Sequence, residues 1–151
     1  IANLIRELAV YEKLEHEVKA TAEELMRQLF GHRPYAEAIL AESDSESLGF
    51  ALFFHTFSTF RCKPSLYLED LFVRPQYRGH GVGKALFASC ARIAVDRECG
   101  RFEWAVLDWN EPAIGFYRSM GARPMDEWTV NRLDDQHLLS VAALAPVLSQ
   151  G

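Results

Sequence analysis

Apolar residues at Leu4, Ile5, Leu8, Tyr11, Leu14 and Val18 recur at spacings of one, three and four. That is the period of an amphipathic helix, and it predicts one over residues 2–18. Thr21-Ala22-Glu23-Glu24 fits a capping box, so a second short helix should start there and stop near Gly31. The Gly31-His32-Arg33-Pro34 segment reads as a loop, after which the period changes. Ala36, Ala38 and Leu40 alternate with polar positions as in a strand, and the Phe-rich run from Leu48 to Ser58 reads as a second. Between them, Ser43-Asp44-Ser45-Glu46-Ser47 is a polar turn, so the pair predicts a hairpin. Arg61 to Ser65 is a connector, and the apolar run from Leu66 supplies a third strand.

The second half repeats the alternation. Ala85, Leu86, Ala88, Cys90, Ile93, Ala94 and Val95 suit a buried helix from Gly83 to about Arg97, ended by Gly100. Phe102, Trp104 and Val106 alternate as a strand. Asn110-Glu111-Pro112 has the form of a helix start, with Asn110 as cap and Pro112 in the first turn, and that helix ends at Met120-Gly121. Trp128 to Leu133 reads as a closing strand, and residues 134–148 as a last helix broken at Pro146. Strands and helices alternate without an internal repeat, which predicts a single α/β domain over residues 1–151.

Composition narrows the function. The chain has 151 residues, 49% of them hydrophobic and 25% charged, the balance of a globular domain with a full core. A net charge of −5 argues against nucleic acid as a partner, because phosphate binding needs a basic face. The acid excess is early: residues 1–48 hold ten Asp or Glu against five Lys or Arg. Such a surplus is either a solvated face or a surface that attracts cations. Cys62, Cys90 and Cys99 show no CxxC pair and no metal-ligand spacing, so reduced thiols in a cytoplasmic protein without a metal are expected. No apolar run has the length of a membrane span and no signal peptide is visible, so no membrane partner is expected.

The chemistry concentrates between Leu66 and Ala85. An apolar-rich strand carries two adjacent carboxylates, Glu69 and Asp70, and Arg74-Pro75 breaks it. Glycines at 79, 81 and 83 then lead into the helical pattern. Successive backbone N–H groups in such a turn, backed by a helix N-terminus, form a concave anion site. Arg78-Gly79-His80-Gly81-Val82-Gly83 supplies neither G-x-G-x-x-G nor G-x-x-x-x-G-K-[ST], so neither a dinucleotide fingerprint nor a P-loop is present.

What the run does match is R-x-x-G-x-G between strand and helix. It resembles the pyrophosphate-binding loop of the GNAT N-acetyltransferases. About thirty residues on, Asn110-Glu111-Pro112-Ala113-Ile114-Gly115-Phe116-Tyr117-Arg118-Ser119-Met120-Gly121-Ala122 is similar to that family's N-x-x-A-x-x-F-Y-x-x-x-G-[FA]. Closer still, Leu4 to Glu12, Tyr67 to Val73 and Trp109 to Pro112 resemble the spermidine/spermine (diamine) N-acetyltransferases, a branch that includes enzymes preferring thialysine. The likeness covers residues 4 to about 122. It implies a mixed central sheet flanked by helices, acetyl-CoA as cosubstrate, a small cationic amine as acceptor, and a homodimer. The family begins with a strand before its first helix. This chain starts at that helix, so the first edge strand is expected to be missing from it, through truncation.

The resemblance also implies roles. Arg78, Gly79, His80, Gly81, Val82, Gly83 and Lys84 would hold the pyrophosphate, with Asn110, Pro112, Ala113 and Tyr117 along the pantetheine arm. Tyr11, Glu12, Glu69, Asp70 and Trp128 would line the amine pocket, and Glu103 to Ala105 fall where the family touches substrate with other residue types. Because a lysine-like ammonium has a pKa of about 10.4, a carboxylate or an ordered water must take its proton. Glu69 is the expected base, with Asp70 second. On a regular strand the two would point to opposite faces, and only a bulge would let both reach one pocket. A backbone N–H from Leu71, Phe72 or Val73 would meet the oxyanion, and Tyr117 would protonate the leaving thiolate. The acetyl group would pass directly to the amine. Two other functions fit the same motifs: acetylation of a protein or peptide, and non-catalytic binding of acyl-CoA.

Overall fold

The computed structural model describes residues 1–146. The chain divides into two compact units, Ile1–Leu107 and Asp108–Gly151. The first is built on a four-stranded sheet in the order β1-β2-β3-β4. Strands β1 (Glu37–Ser43), β2 (Glu46–Ser58) and β3 (Lys63–Val73) run antiparallel in sequence, and β4 (Phe102–Trp104) pairs parallel with β3. Helices α1 (Ala2–Glu12), α2 (Ala22–Phe30) and α3 (Val82–Asp96) complete this unit.

Alternation along β2 sorts the core. Phe50 and Leu52 join Leu4 and Leu8 of α1, Leu29 of α2 and Phe72 of β3 in one cluster. The intervening Ala51 and Phe53, both buried, turn to the other face. There α3 packs on the sheet, with Phe87 against Phe102 and Trp104 at ring distances of 4.9 and 5.1 Å. The capping box of α2 forms as its sequence predicts. Thr21 Oγ1 accepts from the Glu24 N–H at 3.1 Å, and Glu24 Oε2 accepts from the Thr21 N–H at 3.0 Å.

Arg74, just past β3, ties α1 to the hairpin. Its Nε and Nη2 donate to the Glu7 carboxylate at 2.9 and 2.8 Å, and its Nη1 to the Ser47 carbonyl at 2.8 Å. The guanidinium holds the Glu7 pKa below its ordinary value. A lowered pKa stabilises the fold above the unfolded carboxylate's pKa, and that stability is lost as pH falls through the folded value. Glu7→Gln is therefore expected to lower Tm by a few degrees at pH 7. The gap to the wild type should shrink as pH falls below the ordinary carboxylate range, as thermal melts across the acid range will show.

Several boundaries differ from the sequence pattern: β4 stops at Trp104 rather than Val106, and β1 and β2 extend into the expected turn as far as Ser43 and Glu46. Helix α1 stops at Glu12 rather than Val18. Lys13 takes a left-handed conformation (φ 62°), and the Leu14 N–H returns to the Ala9 carbonyl at 2.8 Å, a Schellman ending. A lysine there gives no glycine signal to read. In the same way α3 is stopped by Glu98 at φ 54° with Cys99 N–H on Ala94 O, ahead of Gly100. Gly100 serves instead as a close approach, where a Cβ would come within 3.3 Å of the Arg61 and Lys63 side chains. Strand β3 begins at Lys63, inside the expected connector, because its first residues pair with Phe57 and Ser58.

The second unit contains α4 (Glu111–Ser119) and α5 (Asp135–Ala142). Asn110 caps α4, its Oδ1 accepting from the Ala113 N–H at 3.3 Å. The strand expected from Trp128 to Leu133 does not form: these residues are irregular and exposed. Their β-branched pattern finds no ladder among the described residues, and a strand without a neighbour has no backbone partners. The last helix is shorter than expected, and its predicted end at residues 147 and 148 lies outside the described residues. Among the described residues, no helix is long and apolar enough to cross a membrane.

Candidate active site

The two carboxylates of β3 meet at an irregularity in the sheet. Leu52 pairs with Asp70 and the next residue, Phe53, pairs with Leu68, so Glu69 is the extra residue of a β-bulge. The bulge changes which face each residue serves. Phe72 and Asp70 point to the α1 side with Phe50 and Leu52, while Leu68 and Leu66 follow Phe53 to the α3 side. Both Glu69 and Asp70 then border one recess of about 460 Å³ beside α1. This is the bulge that the adjacent carboxylates require if they are to share a pocket.

Across the recess stand Glu12 at the end of α1 and Leu14, Glu17, Val18 and Lys19 beyond it. Glu17 closes a 3-10 turn (Glu15–Glu17), and Val18 returns to extended backbone. Four carboxylates thus face one space. Burial and the neighbouring charges of Glu69 and Glu12 push the Asp70 pKa up to about 7, and burial alone raises Glu12. Glu69 itself is exposed. The pair therefore divides into a shielded acid that titrates near neutrality and a solvated one beside it.

The parallel ladder between β3 and β4 ends at Leu68 and Trp104, while β3 runs on to Val73. Beyond Leu68, that edge of β3 carries no strand among the described residues. The Arg74 N–H donates to Leu48 of β2 at 2.9 Å. Alternation therefore turns the Phe72 amide toward β2 and the Leu71 and Val73 amides to the uncovered edge. The Val73 carbonyl on this edge accepts from Arg78 Nε at 2.9 Å.

The glycine run forms the turn into α3. Gly79 and Gly81 have φ of 77° and 84°, and a Cβ on either would meet nothing within 4 Å. Gly81 caps α3 without a side-chain hydrogen bond, and Ala85 is the residue whose N–H first returns to Gly81 O. The preceding amides of Val82, Gly83 and Lys84 face past the helix end. Left-handed glycines with open space over them, and the exposed side chains of His80 and Lys84, are the parts of a phosphate cradle. The Arg78 guanidinium lies 4.6 Å over the Tyr11 ring and 5.7 Å from that of Phe72. Tyr11, expected in the amine pocket, thus supports the glycine turn and is not among the residues bordering the recess.

Of the remaining expected residues, all but those at Glu103 to Ala105 lie in the second unit. Asn110 is buried with its side chain in the α4 cap, Pro112 and Ala113 form the first turn, and Tyr117 packs its ring 5.3 Å from Phe116. Trp128 is exposed, its N–H donating to the Met125 carbonyl. Glu103 pairs with Arg101 at 2.9 Å. Cys90 is fully buried and its thiol is pushed up to about 11, which leaves it protonated and unsuited to an acyl-enzyme.

Residues 3–122 match the Acetyltransferase (GNAT) family. The chain belongs to that family. It is an N-acetyltransferase, and the matched span includes both the glycine turn and α4. Thialysine N-epsilon-acetyltransferase of Sus scrofa is 36% identical over 153 residues, covering 94% of this chain and 89% of that protein. L-ornithine N5-acetyltransferase of Arabidopsis thaliana is 31% identical, covering 95% and 83%. Among solved structures, an integron cassette protein from the mobile metagenome of V. cholerae has a TM-score of 0.78 at 28% identity, over 93% of this chain and 88% of that one.

Sequence reasoning missed Glu17 and Lys19 as site residues, placing Val18 between them on a helix. The signal available was the density of acid after Tyr11, which helical periodicity absorbed.

Proposed function

We propose that this acetyltransferase takes the acetyl group of acetyl-CoA to a primary amine of a small polyamine or lysine-like compound. The observation that carries the reading is the bulge at Glu69, which gathers Glu69 and Asp70 with Glu12 and Glu17 around one recess. Such a space attracts an ammonium group and offers a carboxylate poised near neutral pH to take its proton. The names of the relatives, which act on thialysine and ornithine, agree with it.

The residues from Arg78 to Lys84 fit the cosubstrate's pyrophosphate, which brings the acetyl group as a thioester. On the acceptor side, Asp70 takes the ammonium proton, directly or through water. Exposed Glu69 and Glu17, with half-buried Glu12, hold the cation. This reverses the order of the two β3 carboxylates expected from sequence, because burial separates their environments. The outward amides of Leu71 and Val73 are the donors available to a developing oxyanion, with Phe72 committed to β2. Tyr117 is the proposed acid, and Asn110, Pro112 and Ala113 with Trp128 are proposed contacts of the two substrates. The enzyme is assigned to a reducing, cytoplasmic setting on its three free thiols, and to a homodimer on family resemblance.

The test is purified protein with acetyl-CoA and a panel of spermidine, spermine, putrescine, thialysine and lysine, following release of free thiol. Turnover with at least one of these supports the reading. Tight CoA binding without turnover on any of them overturns it. Tyr117→Phe is expected to lower kcat by about 10-fold or more with KM little changed. An unchanged kcat removes Tyr117 as the acid.

A further inference from the structure

We propose that Lys19 receives the carboxylate of the acceptor, so that the recess prefers a basic amino acid to the amine that lacks its carboxylate. The inference rests on the small-amine reading above and assigns the far end of the same recess. Its near wall, on β3, presents Glu69 and Asp70, where the reacting amine is served. Its far wall is the chain beyond α1, and Lys19 is the one cation among all the lining residues. No ion pair among the described residues uses it.

A site built for polycations alone has no use for a lysine, whose like charge weakens the pull of the four carboxylates on a second ammonium. A zwitterionic head group does have one. Glu17 and Lys19 flank the extended Val18 (φ −74°, ψ 101°), and both line the recess. They offer one negative and one positive group, the complement of an α-ammonium and α-carboxylate. Leu14 and Val18 supply apolar surface for the methylenes between the head group and the reacting amine. The left-handed Lys13 makes this arrangement possible, because it ends α1 and turns residues 14–20 back over the recess.

The experiment uses matched amines that differ only in the carboxylate: lysine against cadaverine, and ornithine against putrescine. The wild type is expected to show a kcat/KM for each amino acid about 10-fold or more above its partner. Lys19→Gln should lower kcat/KM for lysine and ornithine about 10-fold, through KM with kcat nearly constant, so that the ratios of lysine to cadaverine and of ornithine to putrescine fall toward one. Lys19→Arg should restore most of the preference. Lys19 is exposed, so an unchanged Tm will show that the variants fold. Turnover with a lysine-to-cadaverine ratio that Lys19→Gln does not move overturns the role of Lys19 alone. No turnover on any amine overturns the small-amine reading, and this assignment with it.

Discussion

Asp70→Asn is expected to lower kcat/KM for the amine by about 10²-fold or more near neutral pH. The reason is position as well as charge. The bulge at Glu69 turns Asp70 onto the α1 side, and burial beside Glu69 and Glu12 holds its pKa at about 7. In the wild type, kcat/KM should therefore fall as pH drops below about 7, when Asp70 takes up its own proton. The asparagine variant should lose that inflection. Glu69→Gln should act mainly on the KM of the amine, since its exposed side chain contributes attraction. An inflection that survives in Asp70→Asn and vanishes in Glu69→Gln returns the role of base to Glu69.

The same substitution has a second readout. The folded pKa of Asp70 lies above its unfolded value, so the folded state binds the proton more tightly. The stability this confers is complete below the unfolded pKa, near 4, and is lost as pH rises to about 7. Asparagine stays neutral throughout. Asp70→Asn should then be more stable than the wild type at pH 8 and close to it at pH 4, as urea denaturation at the two values will measure. A site residue whose removal stabilises the protein is one held for function.

Phe50→Ala is expected to cost about 3–5 kcal/mol and to lower Tm by about 10 °C or more. Phe50 is completely buried at the centre of β2, where it packs with Leu4, Leu8, Leu29 and Phe72. Its loss would leave a cavity between the sheet and the two N-terminal helices, and α1 also carries Glu12 into the recess. Thermal melts give the stability. A raised KM for the amine at a temperature where the variant remains folded would show the recess loosening with the core. A change in Tm of only a degree or two would mean that α1 does not depend on this cluster.

How much of this was legible in the chain follows from the range of the forces involved. The capping box at Thr21, the Asn110-Pro112 helix start, the β1-β2 hairpin and the glycine turn before α3 are local, and each appears where its residues predict it. The left-handed ends at Lys13 and Glu98 were not legible, because neither residue is of a type that favours that conformation. The false strand at Trp128 fails for a different reason: alternation describes a strand that has a partner, and here no ladder forms.

The adjacent carboxylates show the division most clearly. Their presence, and the family motifs around them, were properties of sequence alone. That both reach one recess was not, because it depends on a single unpaired residue in the β2-β3 ladder. Nor could sequence rank them, since a pKa is decided by burial and by charges that other elements bring close, here Glu12 from α1. Glu17 and Lys19 join the site only because the chain turns back after Lys13. Residue types determined which chemistry was available, and tertiary packing decided which groups share one recess and which of them is shielded enough to take a proton there near neutral pH.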